Sequence, residues 1–444
     1  MNDSDTDDVL ARISRGGKPH KPSDDEMACE FAAQHEESLA YLHPQHDWRI
    51  WTGQYWKSDE ILYAQEQAAR LCSWFAANHH EPKLASGKTI NAVLGLARGK
   101  PELATTLGMW DRRPDLLGTP EGVVDLRTGK LRPALRTDYI TRQTAVAPGG
   151  KCPLWIKTLN QVFQEDSEVI AFLQRWQGYS LTAETREQKF VFGYGGGGNG
   201  KDIVFGTCMR IMGTYAAPVP METLIHSNYD RHPTDLADLH GLRLALAVET
   251  QKGRRWNEAR VKALTGENEI KARFMRQDFF RFKPCCKLVV CGNQQPRLAS
   301  VDDAWRRRML FLAFLVSFKD KPNLHLADQL WAEAPGILQW MIEGAVAWYR
   351  FGLQPPESVT KATDAYMVDQ DTLGRWLDEC CMRDGTKRTR TADLFKSWKE
   401  WCEAANEYAD TENSFSRRLE KEGFAKGRND KGQRCFVGIT VRQT

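Results

Sequence analysis

The sequence predicts an α/β chain of several domains, and three observations predict it. Strand-like and helix-like patterns alternate after residue 188, through the apolar strands LALAV (244–248) and KLVVC (287–291), which argues for a largely parallel sheet with helices on its faces. At the head of that stretch the strand KFVF runs into Gly193-Tyr194-Gly195-Gly196-Gly197-Gly198-Asn199-Gly200-Lys201, and the helix-compatible segment IVFGTCMRIM follows. Near the C-terminus three helical stretches precede two short strands joined by a basic, glycine-containing turn. The 444 residues allow two to four units at roughly 100–200 residues per domain.

Composition narrows the class. With 41% hydrophobic and 27% charged residues and a mean hydropathy of −0.53, neither wholesale disorder nor an integral membrane protein fits. No apolar run approaches the roughly 20 residues that a membrane-spanning helix needs. The start, MNDSDTDD, lacks the basic and apolar regions of a signal peptide, so the expected location is cytoplasmic. Eleven cysteines without a CxxC pair predict packed, reduced thiols in place of a zinc site. The net charge of +3 hides an asymmetry, since residues 252–308 hold fifteen Lys/Arg against six Asp/Glu. Such a block faces a polyanion or forms a solvated helix face.

Along the chain, residues 1–37 carry ten acidic and four basic side chains and no aromatic before Phe31, which predicts a flexible acidic leader. Residues 38–148 read as a small α+β domain: a hairpin in DWRIWTGQYWKSDE, helices near 61–79 and 88–106, and a second hairpin in TPEGVVDLRTGKLRP. Trp48, Trp51 and Trp56 could stack on bases, but tryptophans at strand spacing usually pack a core. Pro148-Gly149-Gly150 reads as a linker into a domain spanning 149–354, with helix over 153–180, a strand at 188–192 and helix again over 326–351. Residues 368–444 read as a winged-helix domain, with helices at 372–382, 391–406 and 412–422 before the β-ribbon.

The glycine run is the strongest chemical signal. Glycines let successive N–H groups turn inward onto phosphate oxygens, the following helix N-terminus adds its dipole, and Lys201 supplies a point charge. From Gly195 to Lys201 the residues match GxxxxGK, so Gly195, Gly196, Gly197, Gly198, Asn199, Gly200, Lys201, Asp202 and Ile203 are the expected nucleotide contacts. A flexible glycine linker is the plain alternative. The position after the lysine usually holds a Ser or Thr for Mg²⁺ and here holds Asp202, itself a good hard ligand but one that adds negative charge. Downstream, LALAVET ends a strand in Glu249 and KLVVCGNQQP ends one in Asn293. These are an acid able to hold Mg²⁺ or orient water, and a polar group able to touch the terminal phosphate.

The succession GGGGNGKD, LALAVET, VKALTGENEIKARF, LVVCGNQQP and WRRRMLFLAF resembles the superfamily 3 helicases of the poxvirus, phage and plasmid primase–helicase type, over about residues 40–444. The resemblance implies an AAA+-like P-loop ATPase that uses ATP and Mg²⁺ and assembles into a homo-oligomeric ring, usually a hexamer. Such rings translocate on single-stranded DNA, typically 3′ to 5′. By position it implies Lys201 as the phosphate lysine, Glu249 as the Walker B acid, Asn293 as the first sensor and Arg307 or Arg308 as the trans-acting finger. Glu249 is the implied metal ligand; one acid stands in Walker B where many ATPases have two, and Asp202, which departs from the family pattern, is expected to stand in as an extra metal ligand. The family's DNA-contacting region corresponds to Lys262 through Lys271 and Arg273.

DNA contact is also read from the residues. The segment 272–284 interleaves Arg273, Arg276, Arg281 and Lys283 with Phe274, Phe279, Phe280 and Phe282, cations for phosphates and rings of which most are expected in the core. Arg417 and Arg418 on the third C-terminal helix, with Lys426, Arg428, Lys431 and Arg434 on the ribbon, form a second basic surface suited to origin duplex DNA or to a separate primase or loader. With only the acidic leader ahead of residue 40, no priming activity is expected. The rival expectation is an ATP-binding DNA clamp or initiation adaptor that hydrolyses weakly because of Asp202. A small-molecule kinase would leave the arginine cluster and the winged helix unexplained.

Overall fold

The computed structural model describes residues 20–226, 234–248, 255–266, 268–273, 279–295, 298, 303–320, 322–405, 407, 409 and 411–442. The first part comprises α1 (Asp24–His35), β1 (Leu39–Leu42), β2 (Asp47–Trp51), β3 (Trp56–Ser58), α2 (Tyr63–Asn78), α3 (Gly87–Ala97), β4 (Ala104–Thr105), β5 (Leu116–Thr119), β6 (Gly122–Asp125) and β7 (Lys130–Arg132). One sheet has the order β3-β2-β1-β4 and another the order β5-β6-β7. Both expected hairpins are present; β2–β3 gains two strands the sequence did not signal, β1 and β4, and β6–β7 gains one, β5.

The leader needs correction. Residues 24–35 form α1, started by a capping box in which Ser23 and Glu26 exchange hydrogen bonds, and Met27, Ala28, Phe31 and Ala32 are buried against α2 and α3. Asp24, Asp25 and Glu26 crowd its first turn, where the helix dipole favours them, so this part of the acidic charge is a helix-start signal; residues 1–19 of the expected leader lie outside the described residues. The tryptophans are core-facing as expected: Trp56 is buried, lies 5.5 Å from the Trp51 ring and meets Trp110 edge-on.

The central part holds α4 (Pro153–Val162), α5 (Ser167–Leu181), β8 (Phe190–Tyr194), α6 (Lys201–Met212), β9 (Ala216–Pro218), α7 (Thr234–Ala237), β10 (Leu244–Val248), α8 (Glu258–Leu264), β11 (Ile270–Ala272), β12 (Phe280–Phe282), β13 (Lys287–Gly292), α9 (Asp303–Arg306), β14 (Met309–Ala313), α10 (Leu326–Ala332), α11 (Ala334–Phe351) and α12 (Glu357–Gln370). Its five-stranded sheet is parallel throughout, in the order β14-β8-β13-β10-β9. The strands are apolar runs because both faces are covered. Val191, Leu244, Leu246, Val289, Cys291, Leu310 and Leu312 enter the core shared with α4, α5, α6 and α11. Their alternates Phe190, Phe192, Ala245, Ala247, Leu288, Val290, Met309 and Phe311 enter a second core with Trp256, Trp305 and Tyr366.

The single helix expected over 153–180 is two, broken where Gln164 and Glu165 take positive φ. The helix expected over 326–351 also divides, at Glu333, whose carboxylate accepts from the amides of Leu154 and Trp155 and so caps α4. The expected linker is anchored, since the Gly149 amide donates to the Pro335 carbonyl at 3.1 Å. Between the first two parts, Gly118 N donates to the Tyr215 hydroxyl and Arg243 to the Leu116 carbonyl, while Arg243 also donates to the Leu181 carbonyl within the central part.

The last part contains α13 (Thr372–Cys380), β15 (Cys381–Arg390), α14 (Thr391–Ala404), α15 (Glu412–Lys421), β16 (Ala425–Arg428) and β17 (Arg434–Val441), with an antiparallel sheet ordered β15-β17-β16 around Trp376, Trp398, Phe415 and Phe436. The sequence reading carried the first helix to 382 and missed β15, a polar, largely exposed strand with a register shift between Asp384 and Arg388. None of the eleven cysteines is joined in a disulfide. Among the described residues no helix is long and apolar enough to cross a membrane.

Candidate functional site

In an open parallel sheet, ligands bind beyond the carboxyl ends of the strands where the strand order reverses. Here that point is at β8, which leads away to the far edge at β9 before the chain works back to its neighbour β13. The loop from β8 to α6 occupies it. Gly197, Gly198 and Gly200 adopt φ of +85°, +63° and +87°, a conformation that L side chains rarely take. At Gly195 a Cβ would collide with the Asn199 side chain and the Phe314 carbonyl. The glycines are therefore required by the loop's path, as a linker would not need them to be.

Lys201 opens α6 and is only 5% exposed. Its ammonium donates to the carbonyl of Gly195 at 2.7 Å, to Asn199 Oδ1 at 3.0 Å and to Asn293 Oδ1 at 3.1 Å. Burial lowers its pKa from the ordinary lysine value, with Cys291 and Asp202 opposing that shift. Asn199 is turned the other way as well, its Nδ2 donating to the Phe314 carbonyl at 3.0 Å. The structure thus brings the glycine loop, Lys201 and Asn293 together from two adjacent strands.

These residues face a cavity of about 900 Å³ whose wall includes Gly197 to Ile203, Cys291, Asn293 and Val248. Asp202 is exposed on it. Glu249 lies outside the described residues, although Val248, its chain neighbour, reaches the cavity wall. The rest of the wall comes from α4, through Thr158, Gln161 and Val162, and from Phe318, Lys319 and Leu326 beyond β14. The sequence reading missed these contributors because no local pattern ties segments so far apart in the chain to the glycine loop; only the fold does.

The arginine cluster divides. Arg308 is 8% exposed and donates to the Ala304 carbonyl at 3.0 Å, so its side chain is committed within its own chain and the finger reading does not hold for it. Arg307 is exposed. Both precede β14, which pairs in parallel with β8 from Met309↔Phe190 to Ala313↔Tyr194. They therefore lie at the opposite end of the strands from the glycine loop, about 16 Å away at ~3.3 Å per residue.

Within the basic segment, β11 and β12 pair antiparallel, with Lys271 opposite Arg281 on the exposed face and Ile270, Ala272 and Phe282 turned inward. Phe279 is 49% exposed, with Lys271 Nζ 4.3 Å and the Arg273 guanidinium 4.8 Å from its ring. Phe280 and Phe282 pack edge-on against His240. Arg276 and Phe274 lie outside the described residues. Lys262 reaches back to Glu258 at 3.8 Å on α8. In the last part Arg417, Arg428 and Lys431 are exposed, whereas Arg418 is half-buried over the Trp398 ring and donates to Thr372.

Residues 29–164 match the family model described as D5 N terminal like, and residues 193–308 match a family of unknown function, DUF5906. A protein of Acanthamoeba polyphaga mimivirus named "Putative helicase" is 24% identical over 318 residues, covering 66% of this chain and 33% of its own length. One of Invertebrate iridescent virus 6, also named as a "Putative helicase", is 22% identical over 344 residues, covering 67% of this chain and 34% of its own length, and an African swine fever virus protein named "Putative primase" is 19% identical over 324 residues, covering 66% and 34%. These matches support the primase–helicase family. The chain spans about a third of the length of the curated relatives it matches. The apo structure of the NrS-1 C-terminal region shares the fold at a TM-score of 0.50 and 10% identity, covering 94% of this chain and 100% of that one.

Proposed function

We propose that the chain is an ATP-dependent DNA helicase acting in the replication of a phage, plasmid or other mobile element. The carrying observation is the meeting of Lys201 and Asn293 at 3.1 Å beside a left-handed glycine loop, at the point where the strand order of a parallel sheet reverses. In this reading the loop amides, the start of α6 and Lys201 hold the phosphates of ATP. Asn293 contacts the terminal phosphate or the attacking water, and Glu249, one residue beyond β10, orients that water. Asp202 and Glu249 would hold Mg²⁺, which commonly takes one or two carboxylates and fills its sphere with phosphate oxygens and water. Such a site needs no larger cluster of ligands, and none of three or more His, Cys, Asp or Glu occurs among the described residues.

The sheet order supports assignment of the core to the AAA+-like P-loop ATPases of superfamily 3, and the element order α13-β15-α14-α15-β16-β17 supports a winged helix. Exposed Arg307, far from its own glycine loop, suits a finger that reaches a neighbouring copy in a ring. Single-stranded DNA would run against Lys271, Arg273 and Phe279, and duplex against Arg417, Arg428 and Lys431. Hexameric assembly, 3′ to 5′ movement and a primase partner rest on the family resemblance alone.

Steady-state ATP hydrolysis with Mg²⁺, with and without single-stranded DNA, tests the proposal alongside Lys201→Ala and Glu249→Gln. DNA-stimulated turnover lost in both variants is the expected result. Nucleotide binding without turnover, even on DNA, would replace it with the clamp reading, which Asp202 in the usual Ser/Thr position favours.

A further inference from the structure

The chain beyond β14 holds the glycine loop from outside. The Phe314 amide donates to the Tyr194 carbonyl at 2.7 Å and the Phe318 amide to the Gly198 carbonyl at 2.8 Å, while Asn199 donates back to Phe314. Lys319 then lies across the loop. Its stem packs against Gly198, where an added Cβ would stand 2.7 Å from the lysine Cγ, and its Nζ donates to the Gly196 carbonyl at 3.3 Å. Lys319 also lines the cavity that Lys201 faces.

Charge gives this placement a purpose. Among the described residues, the charged side chains on the cavity wall are Lys157, Lys201, Lys319 and Asp202. Asp202 offsets one lysine charge beside the phosphates, where a Ser or Thr would offset none. Lys201 is buried among three oxygen acceptors that a phosphate must displace, whereas Lys319 is exposed, with its ammonium at the rim of the loop.

Resting on the ATP-binding reading of this site, we infer that Lys319 is a second phosphate-contacting cation, supplied to the triphosphate by the segment after β14. It swings from the Gly196 carbonyl onto phosphate oxygen, forming a charge-assisted hydrogen bond in place of a neutral acceptor. The role requires the ammonium, because the stem alone would only prop Gly198.

Lys319→Met separates the two, since methionine keeps an unbranched stem and removes the charge. Binding of fluorescent ATP and AMP analogues to the full chain is measured for wild type, Lys319→Met and Lys319→Arg, with thermal melting as the folding check. Lys319→Met is expected to weaken ATP binding about tenfold or more, to change AMP binding much less, and to melt like wild type, with Lys319→Arg recovering most of the ATP affinity. Wild-type ATP affinity in Lys319→Met overturns the inference, as does an equal loss for ATP and AMP, which would mark a prop for the loop. Failure of the parent reading looks different: wild type itself would not bind ATP, or Lys201→Ala would bind it undiminished.

Discussion

Lys201 Nζ lies 3.1 Å from Asn293 Oδ1, a hydrogen bond that joins the residue after the glycine loop to the residue after the adjacent parallel strand. The two are 92 positions apart, and the pairing of β8 with β13 brings them together. If the glycine loop holds ATP as proposed, an asparagine so placed would act on the terminal phosphate more than on the rest of the nucleotide. Asn293→Ala is expected to lower kcat for ATP by about 10- to 100-fold while changing nucleotide affinity less than about threefold. Single-turnover hydrolysis and equilibrium binding check this, and a loss of affinity as large as the loss of rate would make Asn293 a ground-state contact.

Asp202 stands on the cavity wall in the first turn of α6. If its carboxylate helps to hold Mg²⁺, Asp202→Thr is expected to lower turnover about tenfold and to raise the Mg²⁺ concentration giving half-maximal rate. A Mg²⁺ titration of both proteins decides. Unchanged or faster turnover would mean that the aspartate is merely tolerated there.

The β11–β12 pair presents an aromatic ring between two cations. If single-stranded DNA lies on it, Lys271→Ala and Arg273→Ala should each reduce the slope of log affinity against log salt by about 0.7, one phosphate contact apiece. Phe279→Ala should weaken binding by about 1–3 kcal/mol with the slope retained, as loss of stacking does. Fluorescence anisotropy across a salt series measures both. Three variants that bind like wild type would remove the β11–β12 pair from the DNA-binding surface.

Much of the site was legible because its signals are local. A glycine run between a strand and a helix, and strands ending in polar residues, can be read without the fold. What escaped reading depends on distance or context. Lys319 reaches the cavity wall only because β14 lies beside β8, and of the two arginines only the fold shows that Arg308 is turned inward while Arg307 is exposed. In α1 the acidic residues that suggested a disordered leader cap a helix whose other face is apolar. β15 was missed because its buried residues are too few to leave a period of two. The rule that apolar alternation marks a strand fails for an exposed one.

Helices α5 and α11 approach so closely that a Cβ on Gly178 would fall on the main chain of Gly344 and Ala345, and one on Gly344 on the Gln174 carbonyl. Gly178→Ala and Gly344→Ala are each expected to destabilise the chain by about 1–3 kcal/mol, because the main chain they meet cannot rotate aside. Gly95→Ala, in α3 with open space around it, is expected to stabilise by up to about 1 kcal/mol through helix propensity. Opposite shifts in denaturation midpoint test the pair, and a lower midpoint for all three would remove close packing as the cause.

Lys287 begins β13 inside the protein, donating to the carbonyls of Thr182, Glu184 and Cys285 with the Tyr179 ring 4.7 Å away. Burial pushes its pKa down from 10.5 to about 7; Arg243 acts in the same direction, while Cys285, Cys286 and Glu184 oppose it. The folded chain therefore releases this proton at lower pH than the unfolded chain does. Below about pH 7 both states hold the proton, and above 10.5 neither does, so this residue adds no pH dependence at either extreme. Between those values the unfolded state binds more protons and stability rises with pH, by up to about 1.4 kcal/mol per unit for one group. Relative to Lys287→Met, which cannot titrate, wild type is expected to gain stability from pH 7 to pH 9. A constant difference across that range would mean that the three carbonyls keep the buried ammonium charged.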